Sequence, residues 1–216
     1  MKNNLGLILI ALAFAGCSKK AAEEAISDAT GFGITLPSDL EGKAFATGCV
    51  SDDGPPNTRT IQFVNGTMSV ISSYYLAADC SSGSPDIVGV TAYLTSAYEE
   101  TADGILVTAV QGLSVATPMN PAAAAGLNNL HTIDSNEPDP THFCKISDWT
   151  ATESVDITGY VKGMGDPPCF DSYAAGTTVY GLFKLNGTGQ LNLDGFKDSS
   201  SGLSVDTDND LDPIEL

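Results

Sequence analysis

The sequence predicts a mainly β domain, an antiparallel barrel or sandwich with one short helix and two disulfides. Three observations predict it. Short segments of alternating apolar and polar residues recur from about Leu40 onward, at the period of two that puts every second side chain on one face of a sheet. Between them stand turn pairs that accept positive φ, namely Asn65-Gly66, Asp103-Gly104 and Asn186-Gly187. Four cysteines, Cys49, Cys80, Cys144 and Cys169, lie in a chain that opens with an export signal, and outside the cytoplasm such thiols oxidise in pairs.

The export signal comes first. Met1, Lys2, Asn3 and Asn4 form a short basic start, and Leu5 to Ala15 are almost wholly apolar. That run is too short for a permanent membrane span and has the layout of a secretory signal. Small residues Ala15 and Gly16 then lead into Cys17. The stretch Leu12-Ala13-Phe14-Ala15-Gly16-Cys17 resembles the lipobox of bacterial lipoproteins, with Phe14 where Leu is usual. The resemblance implies cleavage before Cys17, diacylglycerol on its sulfur and acylation of the new amino group. Ser18 rather than Asp after the cysteine implies, by the family's sorting pattern, the outer membrane.

Residues 1–16 are therefore expected to be a signal peptide, 17–38 a lipidated tether and 39–216 the β domain. Lys19 to Ala29 are rich in Ala and Glu and suit a short helix, which Gly31-Phe32-Gly33 breaks. Strands are expected at Lys43–Val50, Thr60–Val64 with Ile61 and Phe63 on one face, and Thr67–Tyr75. Further strands are expected at Ile87–Thr95, Ile105–Val110, Thr177–Leu185 and Gln190–Leu193, and weaker ones at Phe143–Trp149 and Ser154–Val161. One helix is expected where Asn120 caps, Pro121 takes the first helical position, Ala122 to Ala125 follow and Gly126 ends it. Asp134 to Thr141, with Pro138 and Pro140, is expected to be loop.

Charge narrows the partners. The 216 residues carry 9 basic and 27 acidic side chains, a net charge of −18, with an ordinary 42% hydrophobic content. Such a surface repels phosphate backbones, so no nucleic-acid partner is expected. The four cysteines allow three connectivities. Cys49–Cys80 and Cys144–Cys169 are favoured because each closes a local loop around a strand pair. The close cysteine spacings of a zinc site are absent from the sequence.

At the first strand, Gly42-Lys43-Ala44-Phe45 is similar to the Gly-x-Trp opening of lipocalin-type barrels, with Phe in place of Trp. Cys49, Tyr74-Tyr75 with Cys80, Asp148-Trp149 and the closing hairpin Tyr180 to Leu193 resemble the layout of bacterial outer-membrane lipoproteins. The resemblance spans most of residues 40–216 and implies an up-and-down, lipocalin-like barrel. It carries no ligand with it.

Three groups of residues are candidate sites. His131, Asp134, Glu137, Asp139 and His142 combine imidazoles and carboxylates, but the prolines between them make a solvated acidic loop the expectation. Asp206, Asp208, Asp210 and Asp212 alternate as calcium ligands can, yet Leu211 stands where a calcium loop needs Gly, and an acidic tail is expected. Phe63, Tyr74, Tyr75, Tyr93, Trp149, Tyr180 and Phe183 fall in expected strands, where they either fill the core or line a pocket. Tyr74 and Tyr75, as neighbours, face opposite sides. With no Gly-x-Ser-x-Gly elbow and no phosphate loop in the sequence, neither catalysis, cofactor nor metal is expected. The function expected is a membrane-anchored envelope lipoprotein with a non-enzymatic binding or structural role, its partner an envelope protein or a small ligand. The alternative is a lipocalin-like carrier of a small apolar ligand.

Overall fold

Each of the eight barrel strands pairs with the next barrel strand in the chain, and the last returns to the first. The computed structural model describes residues 34, 36–50, 55–75, 80, 83–129, 131–132, 141–142, 146, 148–159 and 173–214. The strands are β1 (Ala44–Ala46), β2 (Asn57–Val64), β3 (Thr67–Tyr74), β4 (Ile87–Thr101), β5 (Gly104–Pro118), β6 (His131–Thr132), β7 (Thr141–His142), β8 (Val155–Asp156), β9 (Thr178–Leu185), β10 (Leu191–Lys197) and β11 (Asp206–Ile214), with helix α1 at Pro121–Asn129. The ladder runs β4-β3-β2-β1-β11-β10-β9-β5 and closes through β4–β5, an eight-stranded antiparallel up-and-down barrel. This settles barrel over sandwich. Strand β8 adds to β5 beside the barrel, and β6 pairs only with β7.

The hairpins follow from their turn residues. Asn65 and Gly66 adopt φ of 53° and 73°, which pins β2 against β3 so that Phe63 faces Met68 and Ile61 faces Val70. At Asn186-Gly187 the hairpin forms, but Gly189 (φ 82°) carries the left-handed residue. Asn186 Oδ1 accepts from the main-chain N–H of Thr188 and Gln190, both at 3.0 Å, so the asparagine side chain organises a longer loop.

Strands β4 and β5 each run 15 residues, well past the expected ends at Thr95 and Val110. Register shifts near Ala92 and Ser96 let both keep their apolar faces inward while the sheet coils. The pair ends on Gly104 (φ 145°), where an added Cβ would lie 2.5 Å from the carbonyl oxygen of Phe183. Gly104→Ala is therefore expected to cost about 1–3 kcal/mol. Gly187→Ala, where a Cβ meets nothing within 4 Å, is expected to stay within about 0.5 kcal/mol. Urea denaturation of the two variants checks the contrast.

Several expected boundaries are corrected. Strand β1 keeps only three residues of Lys43–Val50, after which Val50 makes an isolated bridge to Asn57. Asn120 Oδ1 caps Ala123 N at 2.8 Å as expected, but α1 runs through Gly126 to Asn129 because Leu127, 2% exposed, packs beneath it. Asp148 and Trp149 are not in a strand. Thr141 pairs in β7 rather than lying in loop. Asp206–Ile214 is no tail: β11 is the strand that closes the barrel, joining β10 at Leu191↔Leu211 and β1 at Phe45↔Pro213. The Cys49–Cys80 disulfide is present, with Cα atoms 5.5 Å apart. Cys144, Cys169, Cys17 and the tether helix lie outside the described residues.

Two apolar clusters fill the interior. The larger joins Phe45, Ile61, Phe63, Met68, Tyr93, Val107, Val179, Phe183, Leu191 and Leu211, with Leu36 and Leu40 from the chain entering β1. The smaller lies where α1 packs over the start of β4 and the end of β5, and unites Ile87, Ala116, Ala123, Ala124, Leu127, Trp149 and Ile157.

Candidate ligand cavity

Register places the inner side chains of β2, β3 and β4 in rows. Phe63, Met68 and Tyr93 form the first row, Ile61, Val70 and Thr91 the second, and Arg59, Ser72 and Gly89 the third. Cross-strand neighbours on one face touch, so each row is a band across the barrel wall. The bands grade from aromatic through aliphatic to polar along the barrel.

The aromatic end is solid. Phe45 meets Phe63 edge-on at 6.2 Å, Phe63 meets Phe183 at 5.5 Å, and Phe183 meets Phe196 at 5.7 Å. Phe196 stacks on Tyr93 at 4.1 Å and 20°. Gly181 makes room for these rings, since a Cβ there would lie 3.0 Å from Phe183 and 3.1 Å from Phe196.

Beyond Tyr93 and Phe196 a cavity of about 130 Å³ opens. Ile61, Val70, Leu193 and Ile157 give it apolar walls, while Arg59, Ser72, Thr91 and Tyr173 bring polar atoms. Among the described residues that line it, Arg59 is the charged one.

A buried polar chain leads to the same space. Gln111, 1% exposed, donates through Nε2 to Ser114 Oγ at 3.5 Å, and Ser114 Oγ donates to Thr91 Oγ1 at 2.9 Å. Gln111 also holds Tyr173 from both sides. Its Oε1 accepts from Tyr173 N at 2.8 Å and its Nε2 donates to Tyr173 O. A buried amide satisfied at both ends fixes the segment that walls the cavity.

The residues singled out from sequence scatter. Phe63, Tyr93 and Phe183 point inward into the aromatic cluster, whereas Tyr74 packs with the smaller cluster. Tyr75 follows the end of β3 and bonds Pro56 O through its main chain, and Tyr180 alternates away from Val179 and Gly181. Trp149 is buried under α1, its backbone held by Asn128 (Oδ1 to N 2.8 Å, Nδ2 to O 2.9 Å). His131 and His142 are opposite partners in the β6–β7 register; Asp134, Glu137 and Asp139 lie outside the described residues. Asp206, Asp208, Asp210 and Asp212 alternate along β11. Asp212 accepts from Gln190 Nε2 at 2.8 Å, and Asp210 accepts from Asn192 Nδ2, so both carboxylates serve strand pairing. Among the described residues no three His, Cys, Asp or Glu side chains gather as a metal site.

Arg59, Gln111 and Phe196 were not among those residues. Arg59 had a signal: alternation back from Phe63 and Ile61 puts it on the same inner face. Gln111 had none, because the bulge between Gln111 and Ser114 breaks the period that would show its direction. No protein-family model matches the chain, and no curated protein matches it.

Proposed function

We propose that this chain is a cell-envelope lipoprotein, fixed to the outer membrane by lipid on Cys17, whose barrel has a non-enzymatic binding role. The anchor rests on the apolar run Leu5–Ala15 ending in Ala15-Gly16-Cys17. Each buried methylene of a lipid contributes about 0.8 kcal/mol, so two or more chains hold a protein on a bilayer stably. The nature of the binding role rests on one observation. Five rings fill one end of the barrel and leave about 130 Å³. Ligand pockets for drug-sized molecules run to about 300–1,000 Å³. An acyl chain has no room here, so a carrier role, the second reading, is confined to ligands near the size of benzene.

The anchor is tested by Cys17→Ser. The wild-type chain is expected to sediment with membranes and to take up labelled fatty acid, and the variant to lose both. Acyl label persisting in the variant would refute the assignment.

A further inference from the structure

We infer that Asn65 is a site of spontaneous covalent modification, by succinimide formation with Gly66, and that the product releases a clasp made by Glu41. The sequence holds two Asn-Gly pairs, Asn65-Gly66 and Asn186-Gly187. In such a pair the glycine main-chain nitrogen can attack the asparagine side chain, because no Cβ shields the approach. A bond forms from that nitrogen to Cγ, and the Cγ–Nδ2 bond breaks. Nδ2 leaves as ammonia, taking up the proton that the glycine nitrogen loses. Water then opens the ring at either carbonyl and leaves aspartate or isoaspartate.

The structure separates the two pairs. At Asn186 the side chain is locked. Its Oδ1 accepts from the main-chain N–H of Thr188 and Gln190, both at 3.0 Å, and from Thr188 Oγ1 at 2.6 Å. Its Nδ2 donates to Gln190 Oε1 at 3.0 Å and to Asp210 Oδ2 at 3.5 Å. Turning Cγ toward Gly187 N would break this set together. Asn65 is exposed, and among the described residues no hydrogen bond holds its side-chain amide. Gly66 N, the attacking atom, donates to Glu41 Oε2 at 3.4 Å, the long limit of such a bond.

Glu41 is what the product disturbs. Its Oε1 accepts from Asn65 N, and its Oε2 accepts from Leu36 N at 3.2 Å as well as from Gly66 N. One carboxylate thus ties the β2–β3 turn to the segment that enters β1. Leu36 and Leu40 of that segment are 4% and 0% exposed and belong to the larger apolar cluster. Either product sets a new carboxylate close to that of Glu41, and like charges repel. Isoaspartate also adds a carbon to the main chain of a two-residue turn, which has no slack to take it up.

Neither the anchor nor the cavity enters this inference. The full chain in detergent micelles is aged at neutral pH and mapped by mass spectrometry with fragmentation that distinguishes isoaspartate. Asn65 is expected to gain the mass difference between an amide and an acid several-fold faster than Asn186. In the urea-unfolded chain the two pairs are expected to convert at similar rates. Equal rates in the folded chain, or no conversion at Asn65, overturn the site. The converted protein carries an extra negative charge, so ion exchange isolates it. Hydrogen exchange is expected to show lost protection at the Leu36 amide while β4 stays protected. Undiminished protection at Leu36 overturns release of the clasp and leaves the modification standing. Asn65→Gly, which suits the positive φ and has no amide to attack, is expected to keep Leu36 protected through the same ageing. Loss of protection in that variant would sever the link between the two events.

Discussion

Phe183→Ala is expected to destabilise the barrel by about 3–5 kcal/mol, lowering its melting midpoint by roughly 10 °C or more. Phe183 is fully buried on β9, opposite Ile105 of β5 and Leu193 of β10. Its ring lies between Phe63 and Phe196, edge-on to the first at 87° and tilted to the second at 57°. Truncation costs the transfer energy of the ring and the void it leaves. Most core sites recover part of that cost by collapsing, but this one is walled by strands hydrogen-bonded on both sides in a closed ring. Gly181, two residues away on the same face, has no side chain to fall into the gap. Phe183→Leu, which keeps most of the volume, is expected to cost less than half as much. Urea unfolding of both variants measures the difference. A loss below about 1 kcal/mol for Phe183→Ala would mean that the aromatic chain is not the centre of the fold.

Replacing Cys49 and Cys80 together by alanine is expected to cost about 3–4 kcal/mol, from a closed loop spanning 31 residues. The position of the bridge supports a value near the model of loop-closure entropy. Strand β1 has only three residues, and the bridge holds the segment just after it to the segment just after β3. Cys80 N also donates to Cys49 Sγ at 3.1 Å. Without the bridge, β1 keeps its ladders to β2 and β11, the single bridge Val50↔Asn57 and the main-chain bond from Thr47 N to Arg59 O. Fraying there is expected to start at the barrel's closing seam, so amides of Ala44, Phe45 and Ala46 should lose hydrogen-exchange protection before those of β3 or β4. Uniform loss of protection across the barrel would show that the bridge acts on the whole fold rather than on the seam.

Legibility in the sequence followed the range of the interactions. The hairpin at Asn65-Gly66 was readable because two residues that tolerate positive φ suffice to make the turn. The cap on α1 was readable for the same local reason, but its length was not, since Leu127 is held by tertiary contacts beyond Gly126. Strand β11 was misread as an acidic tail. Its Asp residues at alternate positions have low strand propensity, and their partners Gln190 and Asn192 stand 22 and 18 residues away. The cavity was invisible for a related reason. Arg59, Ser72 and Gly89 belong to three strands, and only their shared register makes them one row.

By itself the sequence determined the strand-and-turn pattern, the acidic composition and the thiols available for pairing. Each of these is written within a few neighbouring residues or in composition. Tertiary structure alone decided that the sheet closes, that Asp206–Ile214 is the closing strand, and that a cavity lies beside stacked rings. Those outcomes depend on pairings between distant segments, such as Phe45 with Pro213, whose hydrogen bonds and buried area exist only once the ring is complete.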